Sequence, residues 1–569
     1  MDKPLARNKT GRVARLLNRL PPAPASTLAA CACALLAQTV VAATHFTDSE
    51  ASIANAISAA VPGDTIVVKD GVYTFPVRIN GRDGTAASPI TFKAQTVGGV
   101  TFTGPQLSDR TKLRVERDHW VIDGFRFTDV TADGTQSSDR VTVVRVREAS
   151  DNVLRNLSIS DSGLTSSNPD SNAANNSMYL DITDRSARNV VERSEFLNNN
   201  DAIVVRVAGG STDLFSTDNV FRYNYWSGNA GYETLQLSWG SSAGAAFRTV
   251  VEHNLWEDNA SSSELISSKS SENVFRHNTF EHNNDQLVLR GGNDGVVDSN
   301  YFIDGRGVRA YGADHTITNN YFEGSYGTES GNLRGGILLG AGDHDDAPYA
   351  AVRNSEVSNN SIINTGAYSL LYGYFYNATW NGDLIDIPPY DNEFSDNLIV
   401  NSRGKAIDRQ NNAPDASNTW SGNYTWSTGS GSPGHAPDGV TTGADPQLER
   451  DSLGNLVATA APDAGARMRY RRLTADDVGP GSTFVAGLAG DYDQDGQVSQ
   501  SDWLRWQSLY RSQELAADGN FDGEINAADY TVWRDAQQAA AASVPEASAV
   551  ALAASVLTGH VAAVYRARR

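Results

Sequence analysis

A chain of 569 residues exceeds what one compact core of ~150 residues accommodates, so it divides into several domains or builds one elongated repeat domain with small modules. Its 67 acidic against 46 basic residues give a formal charge of −21, which excludes a broad phosphate-binding surface and with it a nucleic-acid partner. Fifty glycines, with frequent Asn, Ser and Asp, fit many short strands joined by tight turns rather than helix bundles.

The amino terminus reads as an export signal. Lys3, Arg7, Lys9, Arg12, Arg15 and Arg19 precede the apolar run "TLAACACALLAQTVVAA", Thr27 to Ala43, which ends in small residues. Residues 1–43 are therefore expected to be a signal peptide, with the mature protein secreted or held at the surface of a Gram-negative-type cell. Both cysteines, Cys31 and Cys33, lie in that segment, so the mature chain is expected to have no disulfide and to rely on packing and hydrogen bonds.

Short alternating segments then recur, among them "NVLRNLSI" at Asn152, "NVVERSEF" at Asn189, "NVFRYNYW" at Asn219, "TVVEHNLW" at Thr249, "NVFRHNTF" at Asn273 and "NEFSDNLI" at Asn392. The starts at Thr249, Asn273, Gly295 and His315 are 24, 22 and 20 residues apart. Each unit pairs a strand, a turn and a second strand, and longer intervals elsewhere fit loops inserted on one side. That is the pattern of an all-β, right-handed parallel β-helix, expected over residues 44–480, with coils stacked at ~4.8 Å. The leucine spacing of a leucine-rich-repeat horseshoe is missing. Asparagine recurs at the fifth or sixth place of the units: Asn156, Asn224, Asn254, Asn278, Asn300, Asn320, Asn360, Asn397 and Asn423, with Ser194 the exception. Asn tolerates the left-handed conformation of a tight turn, and stacked amides bond from coil to coil.

A coil of 20 to 24 residues places Arg290 of "LVLRGG" one coil beyond Lys269 of "ELISSKS", on about the same face. Two neighbouring cations cost Coulomb energy unless something uses them. Solvated surface charges are the commoner fate of Lys and Arg, so spacing alone leaves both readings open.

These two stretches resemble the core motifs of polysaccharide lyase family 6, the alginate lyase and chondroitinase B group, whose usual pattern is E-x-E-I-I-S-x-K-S followed by L-x-L-R-H-G. "AAVPGDTIVVKDGVY", "HWVIDGFRF", "NAGYETLQLS" and "GVRAYGADHTITNNYFEG" are also similar in order and spacing, so the resemblance runs from about Phe46 to about residue 480. It implies a β-elimination on a 4-linked uronan, alginate first and chondroitin or dermatan sulfate as the alternative, with Lys269 as general base and Arg290 as general acid. Such chemistry suits the residue types: an amine removes the weakly acidic C5 proton, a cation neutralises the adjacent carboxylate, and a guanidinium assists the leaving oxygen. A hydrolase would instead need paired carboxyls, and a non-catalytic carbohydrate-binding β-helix would keep the arginines without the lysine. Arg334 in "NLRGGI" and, less closely, Arg309 in "GVRAYG" match substrate-binding arginines. Tyr311 and Trp239 could stack on sugar rings, but aromatic stripes in a β-helix are commonly packing, and neither is assigned a role.

The resemblance also implies a catalytic calcium ion. Glu264 keeps one of its glutamates, while the other position is Ser262. "NAGYE" is one residue longer than the usual motif, so Asn229 matches only if the turn adjusts, with Glu233 the neighbouring acid. Gly291 stands where the family has histidine, and Gln236 where it often has arginine.

After a linker, residues 481–489, "DYDQDGQVSQSD" and "DGNFDGEINAAD" recur 27 residues apart. Both fit a calcium loop with oxygen ligands at positions 1, 3, 5 and 12 and Gly at 6: Asp491, Asp493, Asp495 and Asp502, then Asp518, Asn520, Asp522 and Asp529. Residues 490–536 thus resemble a small α-helical type I dockerin module, which implies calcium and a cohesin-like protein partner. Residues 537–543 are a second linker, and residues 544–569 resemble a PEP-CTERM sorting tail, an apolar stretch closed by Arg566, Arg568 and Arg569. Membrane contact is expected only through that tail, before processing.

Overall fold

Each coil of the chain is too short to bury its apolar side chains alone, so the coils stack and every strand pairs in parallel with its counterpart one turn on. The structure, a computed structural model, describes residues 42–543 apart from 106–110, 132–141, 163–177, 200–202, 210–213, 239–243, 261–263, 325–334, 344–348, 366–367, 381 and 462. Residues 1–41 of the expected signal peptide and the whole expected sorting tail therefore lie outside the described residues. Three long parallel sheets, of 14, 13 and 14 strands, make up the body. One coil shows the plan: Val250–Glu252 joins a side sheet, Leu255–Glu257 a back sheet and Ile266–Ser268 the 13-stranded front sheet, before Val274–Arg276 begins the next coil. This is the parallel β-helix expected from the repeats.

Alternate residues of each strand point inward and form columns along the axis. On the back sheet Phe196, Trp226, Trp256, Phe280, Phe302 and Phe322 stack face to face with centroids 4.3 to 5.2 Å apart, matching the strand spacing. The open N-terminal end is closed by a helix, Glu50–Ala59, capped by Ser49 and burying Ile53, Ala56 and Ile57.

The corners carry three polar ladders. Between side and back sheets run Asn224, Asn254, Asn278, Asn300, Asn320, Asn360, Asn397 and Asn423. Asn278 Oδ1 accepts from both nitrogens of Asn254, while Asn278 Nδ2 donates to Val251 O and Asn300 Oδ1. The preceding residue is left-handed throughout: Tyr223, His253, His277, Ser299, Asn319, Asn359 and Asp396 have φ between 52° and 56°. Asn156 departs from the expected ladder. It occupies the left-handed position itself, at φ 54°, leaving the ladder place to Leu157, and its amide bonds Asp123 and the Gly481 N–H. A second ladder, through Asn152, Asn189 and Asn219, lines the front-to-side corner. A third, through Asn199, Asn229, Asn259 and Asn283, lines the back-to-front corner.

Beyond the last coil the chain turns back and runs along the outside of the stack as a strap. Ala466 N donates to Ser361 Oγ, Tyr301 Oη to Tyr470 O, Leu473 N to Thr279 Oγ1 and Gly479 N to Tyr223 O. Arg193 then donates to Ser482 O and Phe484 O. The N-terminal part of the expected linker is thus pinned to the coils. Two helices follow, Gln500–Leu509 and Ala527–Ser543, packed around Ala517, Ile525 and Trp533 with Leu453 of the strap against that core.

The strap covers two stacked, half-buried histidines. His253 and His277 lie 5.0 Å apart beneath Tyr470, with Arg276 and Glu252 nearby. Burial, then Arg276, pushes His253 down to about 4, and burial, then His253, pushes His277 down to about 3.

Two outcomes follow from this packing. Asn278→Ala leaves the buried Asn254 N–H without an acceptor, while Asn254 Nδ2 keeps Phe221 O and Glu252 O, and is expected to cost about 1–3 kcal/mol, read as a lower denaturation midpoint in urea. The histidines stay neutral when folded but take up protons near pH 6.5 when unfolded, so their contribution is intact above that pH and is lost as pH falls towards 4. Melting temperature is therefore expected to drop across that window, and less so in His253→Gln/His277→Gln.

Candidate active site

Lys269 and Arg290 each follow immediately after a front-sheet strand, Ile266–Ser268 and Leu287–Leu289. Those strands pair with Ser268 opposite Leu289, and the register carries on: Arg290 N donates to Ser268 O at 2.7 Å and Lys269 N to Leu237 O at 2.9 Å. The two cations thus occupy the same position on adjacent rungs. Since Ser268 and Leu289 alternate into the interior, Lys269 and Arg290 belong to the outward set. The turns behind them are tightly packed. Asn273 Nδ2 donates to Ser270 O and Ser268 Oγ, and a Cβ on Gly292 would stand 2.1 Å from Ser270 O, so only glycine fits there.

Three cations share two carboxylates. Lys269 Nζ lies 3.3 Å from Glu233 Oε1, Arg290 Nη1 3.6 Å from Glu264 Oε2 and Arg309 Nη2 2.9 Å from Glu264 Oε1. Leu235 pairs with Ile266, so Glu233 and Glu264, two residues before each, are also rung neighbours. Lys269 is 9% exposed and the side chain of Arg290 28%, which leaves the arginine the more open of the pair. Burial works against the charge of Arg309, but Tyr311 and Glu264 outweigh it and hold the guanidinium above its ordinary value.

An aromatic wall adjoins the arginines. Arg290 Cζ lies 5.0 Å from the Tyr349 ring centroid and Arg309 Cζ 5.9 Å from that of Tyr374. A cleft of about 90 Å³ opens between Arg309, Tyr311, Ala341, Tyr349, Phe375 and Ile385. Gly340 makes room for it: a Cβ there would meet the Tyr311 ring at 2.1 Å. Tyr311, given no role from sequence, lines this cleft, and Tyr349 and Tyr374 were not singled out. The one sequence signal is the aromatic density of "YSLLYGYFY", Tyr368 to Tyr376. Arg334, Ser262 and Trp239 lie outside the described residues.

The residues expected to hold a catalytic calcium ion, Asn229, Glu233 and Glu264, are all buried. Asn229 is a member of the third corner ladder: its Oδ1 accepts from Asn199 N, and its Nδ2 donates to Phe196 O and Asn259 Oδ1. The ladder bond takes up one of the two lone pairs of Asn229 Oδ1. Glu233 and Glu264 each keep one buried oxygen outside any hydrogen bond, but both carboxylates already balance cations.

The C-terminal loops are different. Ligand oxygens of Asp491, Asp493 and Asp502 lie within 4.8 Å of one another, the one such convergence among the described residues. Burial, then the charges of Asp502 and Asp495, push Asp491 up to about 6, the mark of carboxylates crowded together. Both loops share one hydrogen-bond scheme. Asp491 and Asp518 accept from the N–H groups of positions 5 and 6, and Asp502 and Asp529 from those of positions 2, 3 and 9. Gly496 and Gly523, at φ 88° and 86°, make the sharp turn. The donor sets fit a hard cation. Arg469 reaches the second loop from the strap, donating to Asp518 O and Oδ2.

With this geometry in place, residues 47–403 match the Chondroitinase B family. The chain belongs to that family. Among solved structures, the PL6 family alginate lyase AlyGC shares the fold at a TM-score of 0.63 and 23% identity, over 77% of this chain and 58% of that chain. The chain thus spans less than two thirds of AlyGC. Alginate lyase AlyF-OU02 aligns at TM-score 0.59 and 17% identity, over 77% of this chain and 95% of that one. A PL6 family polysaccharide lyase from Pseudopedobacter saltans aligns at 0.55 and 19%, over 76% and 98%. No curated protein matches the chain. At these identities the structural likeness speaks for the fold.

Proposed function

We propose that this Chondroitinase B family member is a polysaccharide lyase that cleaves a 4-linked uronan, alginate before chondroitin or dermatan sulfate, by β-elimination. The observation that carries the reading is the in-register pair Lys269 and Arg290 on adjacent rungs, with Arg309 bridged to Arg290 through Glu264. The alginate preference is supported by the PL6 neighbours described as alginate lyases, one of them solved with a trisaccharide.

In this reading the amine of Lys269 takes the C5 proton. The C5–H electron pair becomes the C4–C5 double bond as the C4–O bond breaks, and Arg290 donates to the departing glycosidic oxygen. Arg309 and Arg290 neutralise the charge that builds on the uronate carboxylate, in a site walled by Tyr349 and Tyr374 and therefore of lower dielectric than water. No step passes through calcium. The aromatic cleft beside Arg309 suits the apolar face of a neighbouring sugar ring.

We assign calcium to the two C-terminal loops, read as a dockerin-like module with a cohesin-like partner on an exported protein. The paired loops with one shared hydrogen-bond scheme support this part of the reading.

The test follows absorbance at the unsaturated-uronate band with alginate and dermatan sulfate. Lys269→Ala is expected to lose about a thousandfold in kcat with little change in KM. A chain ending near residue 487, which keeps the strap contacts of Arg193, is expected to stay active in chelator. Reducing ends without the chromophore would point to hydrolysis, and binding without turnover to a carbohydrate-binding β-helix.

A further inference from the structure

On the front sheet one outward row runs without a break in register through Arg78, Arg114, Arg145, Asp181, Arg206, Gln236 and Ser267, the last two residues short of Lys269. Its acids each hold two guanidiniums. Glu116 lies 2.6 Å from Arg78 Nε and 2.6 Å from Arg114 Nη2, and Asp181 lies 3.0 Å from Arg145 Nε and 3.0 Å from Arg206 Nη2. A carboxylate between two arginines fixes both in place and leaves a net positive charge. At the N-terminal end this row borders a cleft of about 340 Å³ lined by Arg78, Arg114, Arg117 and Arg147 against Glu116 and Glu148. Arg147 also pairs with Asp184 at 2.7 Å, so four arginines stand against three acids, a local excess of positive charge on a chain of net charge −21.

We propose that this cleft is a distal anion site that holds a carboxylate-bearing stretch of a polyuronate chain. The inference rests on the lyase reading for the position of the bond that is cut. From the Arg114 rung to the Lys269 rung is five strand steps, about 24 Å, so only a polymer running along the helix axis reaches both. Once its chain is held at one place, binding at the other becomes intramolecular, which favours long chains over short ones. It also makes the enzyme cut within the chain, several residues from the end lying over the N-terminal coils.

The geometry supplies a clean test. Arg78→Gln leaves Glu116 with Arg114, and Arg145→Gln leaves Asp181 with Arg206, so neither strands a carboxylate. In the full chain the double variant is expected to raise KM on long alginate about tenfold, with kcat unchanged and both constants unchanged on a trisaccharide. In a Lys269→Ala background, retention in an alginate-containing gel is expected to weaken likewise, and retention in a neutral dextran gel to stay the same. Unchanged KM on the polymer, or an equal rise on polymer and trisaccharide, overturns the distal site and leaves the lyase reading intact. A parent chain that releases no unsaturated product but is held by alginate, and is freed by the double variant, removes the lyase reading and keeps the site. No retention of the parent overturns the site.

Discussion

The structure depends on satisfying the backbone at its corners. Each coil makes three sharp bends, and every buried N–H there needs an acceptor one rung away. The asparagine ladders supply it, and in doing so fix which residue stands over which. A shift of one residue would turn Lys269 inward and bring Ser268 out, since the faces alternate. The ladders are therefore part of the candidate site although none of their members touches it. Asn229 links the two: it holds the third corner and stands four residues before Glu233, the partner of Lys269.

Register also accounts for the electrostatics of the front face. Rung neighbours are held at the strand spacing, so arginines in one row would repel unless acids lay between them. The same solution appears three times: Glu116 with Arg78 and Arg114, Asp181 with Arg145 and Arg206, Glu264 with Arg290 and Arg309. Each group is rigid and net positive. A fold whose overall charge repels polyanions thereby carries a line of local attraction along one side.

What could be read from sequence follows from how local the signal is. The coil repeat and the Lys269–Arg290 step were legible because both are spacings within a few dozen residues, and the structure has the two cations on adjacent rungs. Asn156 was misplaced by one position because its unit puts Leu157 where others have asparagine, and an alternating pattern tolerates that slip. The third ladder was visible in principle, in "LNNND", "SGNAG", "EDNAS" and "EHNND", but short motifs at loop edges are masked by variable insertions. The aromatic wall was not legible: Tyr349 and Tyr374 reach the arginines from separate strands and loops, and no local spacing encodes that meeting.

The strap shows the same limit and adds a consequence. Only its last stretch, from residue 481, reads as a linker, while residues up to 480 read as coils; the last strand of the stack is Val440–Thr442, and the chain beyond it lies against the coils, where its polar backbone finds partners. It follows the corner between side and back sheets, which in a three-sided stack is the edge facing away from the front sheet. Arg469 and Arg505 tie the two-helix module to this strap, through Asp518 and Ser452 O. The module is thereby held on the far side from Lys269 and Arg290. The proposed protein partner and the proposed polysaccharide would thus occupy different sides of the molecule, and anchoring would leave the front sheet open.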